Sequence, residues 1–350
     1  MGSDNNYYES LRGEYMIRRK GGTIIFDEQP IIISHSATVG RKEHEGPLGK
    51  WFSDYFEDEL CGESTFEKAE SRLQYETVER AVSAAGKEIS EIDCIFGGDL
   101  LNQCIGSNYG LRGLGIPFLG AYGACSTMAL TLIEASVFVA SGAANIAAAV
   151  TSSHFCSAER QFRFPLEYGN QRTPLAQWTV TGAGCALVSK NGEGPVIKAA
   201  VPGRICDFGV TDINNMGAAM APAAADTVER FLSDTGTVPS DYDMILTGDL
   251  GFVGAELFTE LMERKGISVE GIYTDCGTMI YDRKGQDVHS GGSGCGCSAS
   301  VLCGRILSEL DCGTLDNILF CATGALMSPT TVFQGESIPG IAHLINIGKK

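Results

Sequence analysis

The chain has 350 residues, 44% hydrophobic and 20% charged, with a formal net charge of −17. That length predicts two core units, and the composition excludes a disordered chain. The acid excess, with no polybasic segment to offset it, argues against direct binding to nucleic acid or to an anionic membrane surface.

The opening stretch MGSDNNYYESLRGEY has no periodicity and reads as a leader or disordered tail, taken to cover residues 1–20. The first apolar run, Thr23 to Phe26, is far too short for the core of a secretory signal. Further on, TVERAVSAAGKEISEIDCIFGGDL (77–100) matches TVERFLSDTGTVPSDYDMILTGDL (227–250), with twelve identities in 24 ungapped positions. The chain is therefore read as a duplication, with units at 21–195 and 196–350. In each copy a helix carries apolar positions at helical spacing: Val78, Ala81, Val82 and Ala85, then Val228, Phe231 and Leu232. A turn at Gly86 or Gly236 follows, then a continuous apolar strand, CIFGG or MILTG. Such strands after helices predict a parallel sheet covered on both faces. Asp99 and Asp249 close these strands, where open α/β sheets place ligand groups.

The second part of each unit matches more loosely. ACSTMALTL aligns with GCSASVLCG, pairing Cys125 with Cys297, and NIAAAVTSS aligns with NILFCATGA at the same offset. Each unit thus gains a helix opened by Cys-Ser and a second buried strand, with Ser126 and Thr127 as capping residues of the first. The apolar stretch from Ala135 to Val150 is broken by Ser136, Ser141, Gly142 and Asn145 and is too short to span a bilayer. Residues 154–212 have no counterpart at the same place and read as an insertion plus the strands closing the first sheet. Within them QFRFPLEYGNQRTPL reads as an ordered surface excursion.

The thirteen cysteines are odd in number and lie mostly in apolar stretches. They read as reduced thiols of an intracellular protein. GCGC, with Cys295 and Cys297, lacks the second pair that a zinc site needs, so no metal and no other cofactor is expected.

Duplicated α/β halves with Cys125 opening a buried helix resemble the thiolase and ketoacyl synthase superfamily. The resemblance implies an α/β, thiolase-like fold with a five-layered αβαβα architecture. In that superfamily the equivalent cysteine is acylated, its thiol acidified by the helix N-terminus. CATGA (321–325) resembles the segment that holds an acid/base cysteine, here Cys321. One departure stands out. Where thiolases carry a histidine, the loop HSGGSGCGCSAS has Cys295 or Cys297, and His289 lies too early. A thiol is a poor activator for a condensation, so no enzyme activity is expected.

A narrower resemblance rests on EGPLGK, GGDLLNQ, GACSTMAL, TSSHFCSAERQFRFPLEYG, TVTGAGCALVS, MGAAMAPAAADT, LTGDL, GGSGCGCSA and ATGALMSP, in order from residue 45 to 329. Together they resemble the stage V sporulation protein AD family of spore-forming bacteria. The resemblance implies a non-catalytic protein that binds dipicolinic acid (pyridine-2,6-dicarboxylate), free or as its calcium chelate, and serves its uptake into the forespore. It implies membrane proteins of the same operon as partners, a peripheral place on the forespore inner membrane, and a homodimer paired through the first-half sheet edge. Two other readings stay open: an acyltransferase that still uses Cys125, and a structural subunit docking a membrane channel.

A flat dicarboxylate needs cations or amides for its two charges and apolar walls for its ring. Cys125 is expected to line the pocket, with Ser126 and the helix-end amides offering donors to a carboxylate. Its other readings are a packing thiol and a nucleophile. His154 is either a pocket group or a histidine holding the loop after it. Arg160 and Arg163 suit bidentate carboxylate binding, against ion pairs with Glu159 or Glu167. Asp99 and Asn102 sit at a strand end near the pocket, although the presence of Asp249 in the other copy favours a turn role for Asp99. No dense carboxylate loop marks a calcium site.

Overall fold

The computed structural model describes residues 17–162 and 172–350. β1 (Ile17–Lys20) and β2 (Thr23–Phe26) form a hairpin, so the last four residues of the stretch assigned to a leader are a strand of the fold. β3 (Ile31–Gly40) follows, with β4 (Asp54–Phe56) beside its end. α1 (Phe66–Ala84) starts at Thr65, whose hydroxyl accepts from the Lys68 amide, and buries Leu73, Val78, Ala81 and Val82. Gly86, at φ 65°, turns the chain into β5 (Cys94–Gly98). α2 (Ile105–Leu111) and β6 (Phe118–Gly120) lead to α3 (Thr127–Ala140) and the fully buried β7 (Ile146–Ser153). α4 (Phe155–Phe162) leaves the end of β7, and β8 (Trp178–Thr179) and β9 (Gly182–Ser189) follow.

The second unit repeats the pattern. β10 (Val196–Val201) precedes α5 (Met216–Thr235), which buries Val228, Phe231 and Leu232 and ends on Gly236 at φ 74°. Only glycine takes this left-handed backbone without cost, which accounts for a glycine in both copies of the turn. β11 (Met244–Thr247), α6 (Gly251–Arg264), β12 (Tyr273–Asp275) and β13 (Gly292–Ser293) come next. α7 (Cys295–Val301) runs on through a π turn at Leu302–Ile306 to Asp311, ahead of β14 (Asn317–Ala325) and β15 (Gly340–Gly348).

Strand order makes the duplication visible. One half reads β6-β5-β7-β9-β3 and the other β12-β11-β14-β15-β10, with the same parallel and antiparallel pairings at each step. The halves meet where β3 and β10 pair at Ile31 and Val196. α1 packs on the outer face of the first half and α5 on that of the second, while α3 and α7 lie between the two. The result is five layers, αβαβα. The central layer is the driest: Met128, Leu132, Val301, Leu302 and Ile306 are all buried in the largest apolar cluster. The buried, continuously apolar strands β5, β7, β11 and β14 follow from this sandwiching.

One registration differs from expectation. Cys125 lies two residues ahead of α3, whereas Cys297 lies inside the first turn of α7. The helix of the second unit begins earlier, on the glycines of GGSGCG. Ser126 and Thr127 also do not cap. Their hydroxyls donate back to the Gly123 and Ala124 carbonyls at 2.6 Å, tightening the turn that carries Cys125.

Candidate functional site

That turn is strained. Ala124 stands at φ 50°, a left-handed value that a side chain disfavours, and it sets Cys125 at the floor of a cavity. The second unit comes close here. A Cβ on Gly324 of β14 would lie 2.4 Å from the Gly123 carbonyl oxygen, so only glycine lets β14 reach the Cys125 backbone. The cavity holds about 130 Å³. A single water needs only ~10–15 Å³ by that measure, so there is room for a small molecule. Its walls are apolar and polarizable: Tyr122 and Phe162 from the first unit, Met216, Met220 and Met327 from the second. Hydroxyl and amide groups of Thr179, Gln177, Asn214 and Ser293 interrupt them. Among the described residues that line it, Glu159 is the one charged side chain and none is basic.

Behind Cys125 stands Asp249, at the end of β11. Its Oδ1 accepts from the Thr323 hydroxyl at 2.8 Å, and its Oδ2 accepts from the Gly294 amide at 2.8 Å and the Ser293 hydroxyl at 3.1 Å. The Cys125 thiol lies beside the same carboxylate. Burial and this neighbouring negative group push the Cys125 thiol well above its ordinary pKa. The helix end pulls the other way, but it is worth only about 0.3–1 kcal/mol, against shifts of up to ~3–5 pKa units from burial. Burial and Asp249 thus favour the protonated thiol, whereas activation of a cysteine needs its pKa lowered.

No imidazole is placed to change this. His154 is buried, with Nε2 donating to the Glu59 carbonyl at 2.7 Å and Nδ1 accepting from the Cys156 amide at 3.1 Å. Both nitrogens hold main chain, so it is the loop-holding histidine. His289 bonds the Thr173 carbonyl and pairs with Asp287, away from the cavity lining. Cys295 is buried beside the floor, its thiol donating to the Ser152 carbonyl at 2.9 Å. Cys297 and Cys321 are buried in the two large cores and line nothing.

Other expected groups are not brought to the cavity. Asp99 is fully buried but is consumed by its own turn: Oδ1 accepts from the Leu101 amide at 2.8 Å, Oδ2 from the Ser107 amide and hydroxyl at 2.7 Å. Its neighbour Glu70 is raised to about 8 by burial and by Asp99. Asn102 is an exposed residue whose amide donates to Gln161 at 2.9 Å. Ser126 is buried under Gly123. Arg160 pairs with Glu67 at 2.9 Å and lies over the Phe66 ring, a different acid from either expected and off the cavity wall. Arg163 lies outside the described residues. Of the expected residues that are described, Cys125 alone lines the cavity. Missed were Asp249, Ser293, Gln177 and the three methionines. Asp249 carried a signal, its strand-end position, which the turn role of its mate masked.

Two duplicated αβ units around a central helix pair, with a cysteine at the start of one of those helices, define a thiolase-like protein. Solved structures agree. The chain is similar to Xanthomonas campestris OleA (TM-score 0.60, 14% identity, 96% of this chain and 98% of that one). It is similar to 3-oxoacyl-[acyl-carrier-protein] synthase III of Aquifex aeolicus VF5 (TM-score 0.56, 13%, 91% and 99%) and to Acat5 thiolase of Ascaris suum (TM-score 0.54, 12%, 92% and 100%). At these identities the likeness is one of fold. The family model for stage V sporulation protein AD matches residues 20–348, and the chain belongs to that family. It is 43% identical over 317 residues to the Bacillus subtilis (strain 168) stage V sporulation protein AD, covering 90% of this chain and 94% of that protein. Among the described residues no helix is long and apolar enough to cross a membrane.

Proposed function

We propose that this sporulation protein is a non-catalytic receptor for dipicolinic acid, free or as its calcium chelate, serving its uptake into the developing spore. One observation carries the non-catalytic reading. The thiol in the nucleophile position lies beside the buried Asp249 carboxylate, which raises its pKa, and both His154 and His289 are engaged elsewhere and do not take its proton. The cavity supports the ligand class. Tyr122 and Phe162 offer flat faces to a pyridine ring, and thioethers pack well against aromatic edges. Ser293, Thr179, Gln177 and Asn214 offer hydrogen bonds for carboxylate oxygens. Arg163 is retained, on sequence grounds alone, as a further carboxylate contact.

The reading includes a peripheral place on the forespore inner membrane beside membrane proteins of the same operon, and a homodimer. What supports the homodimer is an edge: among the described residues no strand pairs beyond β6, and Ile105, Tyr109, Leu119 and Tyr122 are exposed around it. The test is calorimetric titration of the purified protein with dipicolinate and with picolinate. Saturable binding of dipicolinate, much weaker for the monocarboxylate, is expected. Equal affinity for both removes the dicarboxylate from the reading.

A further inference from the structure

Among the described residues, Asp249 is the carboxylate that shares a hydrogen-bond donor, Ser293, with the cavity lining. Of the three groups that donate to its carboxylate, the Gly294 amide and the Thr323 hydroxyl belong to the scaffold, while the Ser293 hydroxyl also lines the cavity, beside Cys125. An anionic ligand on that floor competes for that same donor. A carboxylate oxygen satisfied there takes a donor from Asp249 and sets a like charge beside it.

The groups around Asp249 offer no relief. From β12 comes the buried Asp275, which takes the Thr247 hydroxyl and the Leu250 and Gly251 amides. From the turn before α3 comes Cys125, from α7 the buried thiols Cys295 and Cys297, and beyond β12 the buried Cys276. All are acidic or neutral. Among the described residues none that faces Asp249 is a cation. Two carboxylates that share a dry site cannot both stay ionised, and the cheapest remedy is one shared proton.

Resting on the receptor reading above, we propose that Asp249 takes up one proton when a carboxylate ligand binds beside Cys125, so that the site reads its ligand through a carboxyl–carboxylate hydrogen bond. The proton comes from solvent or buffer: an O–H bond forms on the Asp249 carboxyl as one breaks on the proton donor, and no bond of the ligand or of the Cys125 thiol changes. Burial already holds Asp249 above the ordinary range of an aspartate, so the site is poised for it. Affinity then follows proton linkage. Above the pKa of Asp249 in the ligand-free protein, binding weakens about tenfold per pH unit, and it levels off below that pKa.

The experiment is calorimetric titration with dipicolinate, in chelator, at two pH values where the ligand itself does not titrate, using buffers of different ionisation enthalpy. The expected result is about one proton taken up per dipicolinate, with affinity falling as pH rises. Asp249→Asn, which offers an amide in place of the acid, should take up no proton, bind with an affinity that no longer varies with pH, and bind more tightly than wild type at the alkaline end. Infrared difference spectra of the wild-type protein give a second readout that needs no variant: a new protonated-carboxyl stretch on binding. Binding without proton uptake overturns the proposal, and so does uptake that persists in Asp249→Asn. Binding that requires added calcium and takes up no proton also overturns it, since a cation then sits where the proton was placed. No dipicolinate binding by the folded wild-type protein at any pH is the separate failure of the receptor reading.

Discussion

The two units carry the same strand-end aspartate and use it in opposite ways. In the first, Asp99 folds onto its own loop and is used up by Leu101 and Ser107. In the second, Asp249 is held by Ser293, Gly294 and Thr323 and stands beside the thiol of Cys125 in the other unit. The cause lies in the helix that follows. α7 begins two residues ahead of Cys297, so Gly294 and Ser293, not a cysteine, sit against the strand end and orient the carboxylate. The cysteines diverge for the same reason. Cys125 precedes its helix and faces a cavity, while Cys297 is within its helix and fully buried, near the Gly248 carbonyl. A duplicated fold thus keeps one site, built across the junction of its units, with thiol from one copy and carboxylate from the other.

This contrast can be broken most directly at the cysteines. Overpacking a core costs about 1–3 kcal/mol, so Cys125→Leu and Cys297→Leu should melt at comparably lowered temperatures. Dipicolinate should raise the melting temperature of Cys297→Leu much as in wild type and leave that of Cys125→Leu unmoved. The opposite pattern moves the pocket into the second unit.

The aspartates give the next effect. Asp99→Ala strands the Leu101 and Ser107 donors in a buried turn, at about 1–3 kcal/mol for each unpaired group. Chemical denaturation should show that loss, while the folded protein keeps dipicolinate affinity within a few-fold. A large affinity loss without destabilisation would make Asp99 a ligand contact after all.

A smaller effect tests the electrostatics of the first unit. Glu70 is fully buried, bonded to Ser152 and Ser157, and raised from 4.5 to about 8. Above pH 4.5 its unfolded form is ionised while its folded form keeps the proton. Its contribution to stability is thus full below pH 4.5, declines as pH rises toward about 8, and is flat beyond. Glu70→Gln should flatten that part of the curve of melting temperature against pH. An unchanged slope in the variant would assign the titration elsewhere.

The duplication and the parallel strands were legible because they rest on periodicity and repetition, which a sequence carries on its face, while the five layers came from the resemblance to thiolases. Cys125 was legible from its place before a buried helix. The rest of the site was not, because its groups converge from distant strands. Asp249, Ser293 and Met327 meet Cys125 only once β14 has passed close to Gly123, an approach that depends on Gly324. His154 and Arg160 misled for a related reason: both lie near Cys125 along the fold, yet one is held by Glu59 and Cys156 and the other by Glu67. Sequence proximity to a strand end does not say which way a side chain turns.

The central claim is a site shared by both units, with an unreacted thiol at its floor. The most direct measurement is a crystal structure of the protein soaked with dipicolinate. One ligand is expected per chain, its carboxylate within hydrogen-bond distance of Cys125 Sγ and Ser293 Oγ and its ring against Tyr122 or Phe162. Ligand density away from Cys125, or a Cys125 Sγ carrying a covalent acyl group, would contradict it.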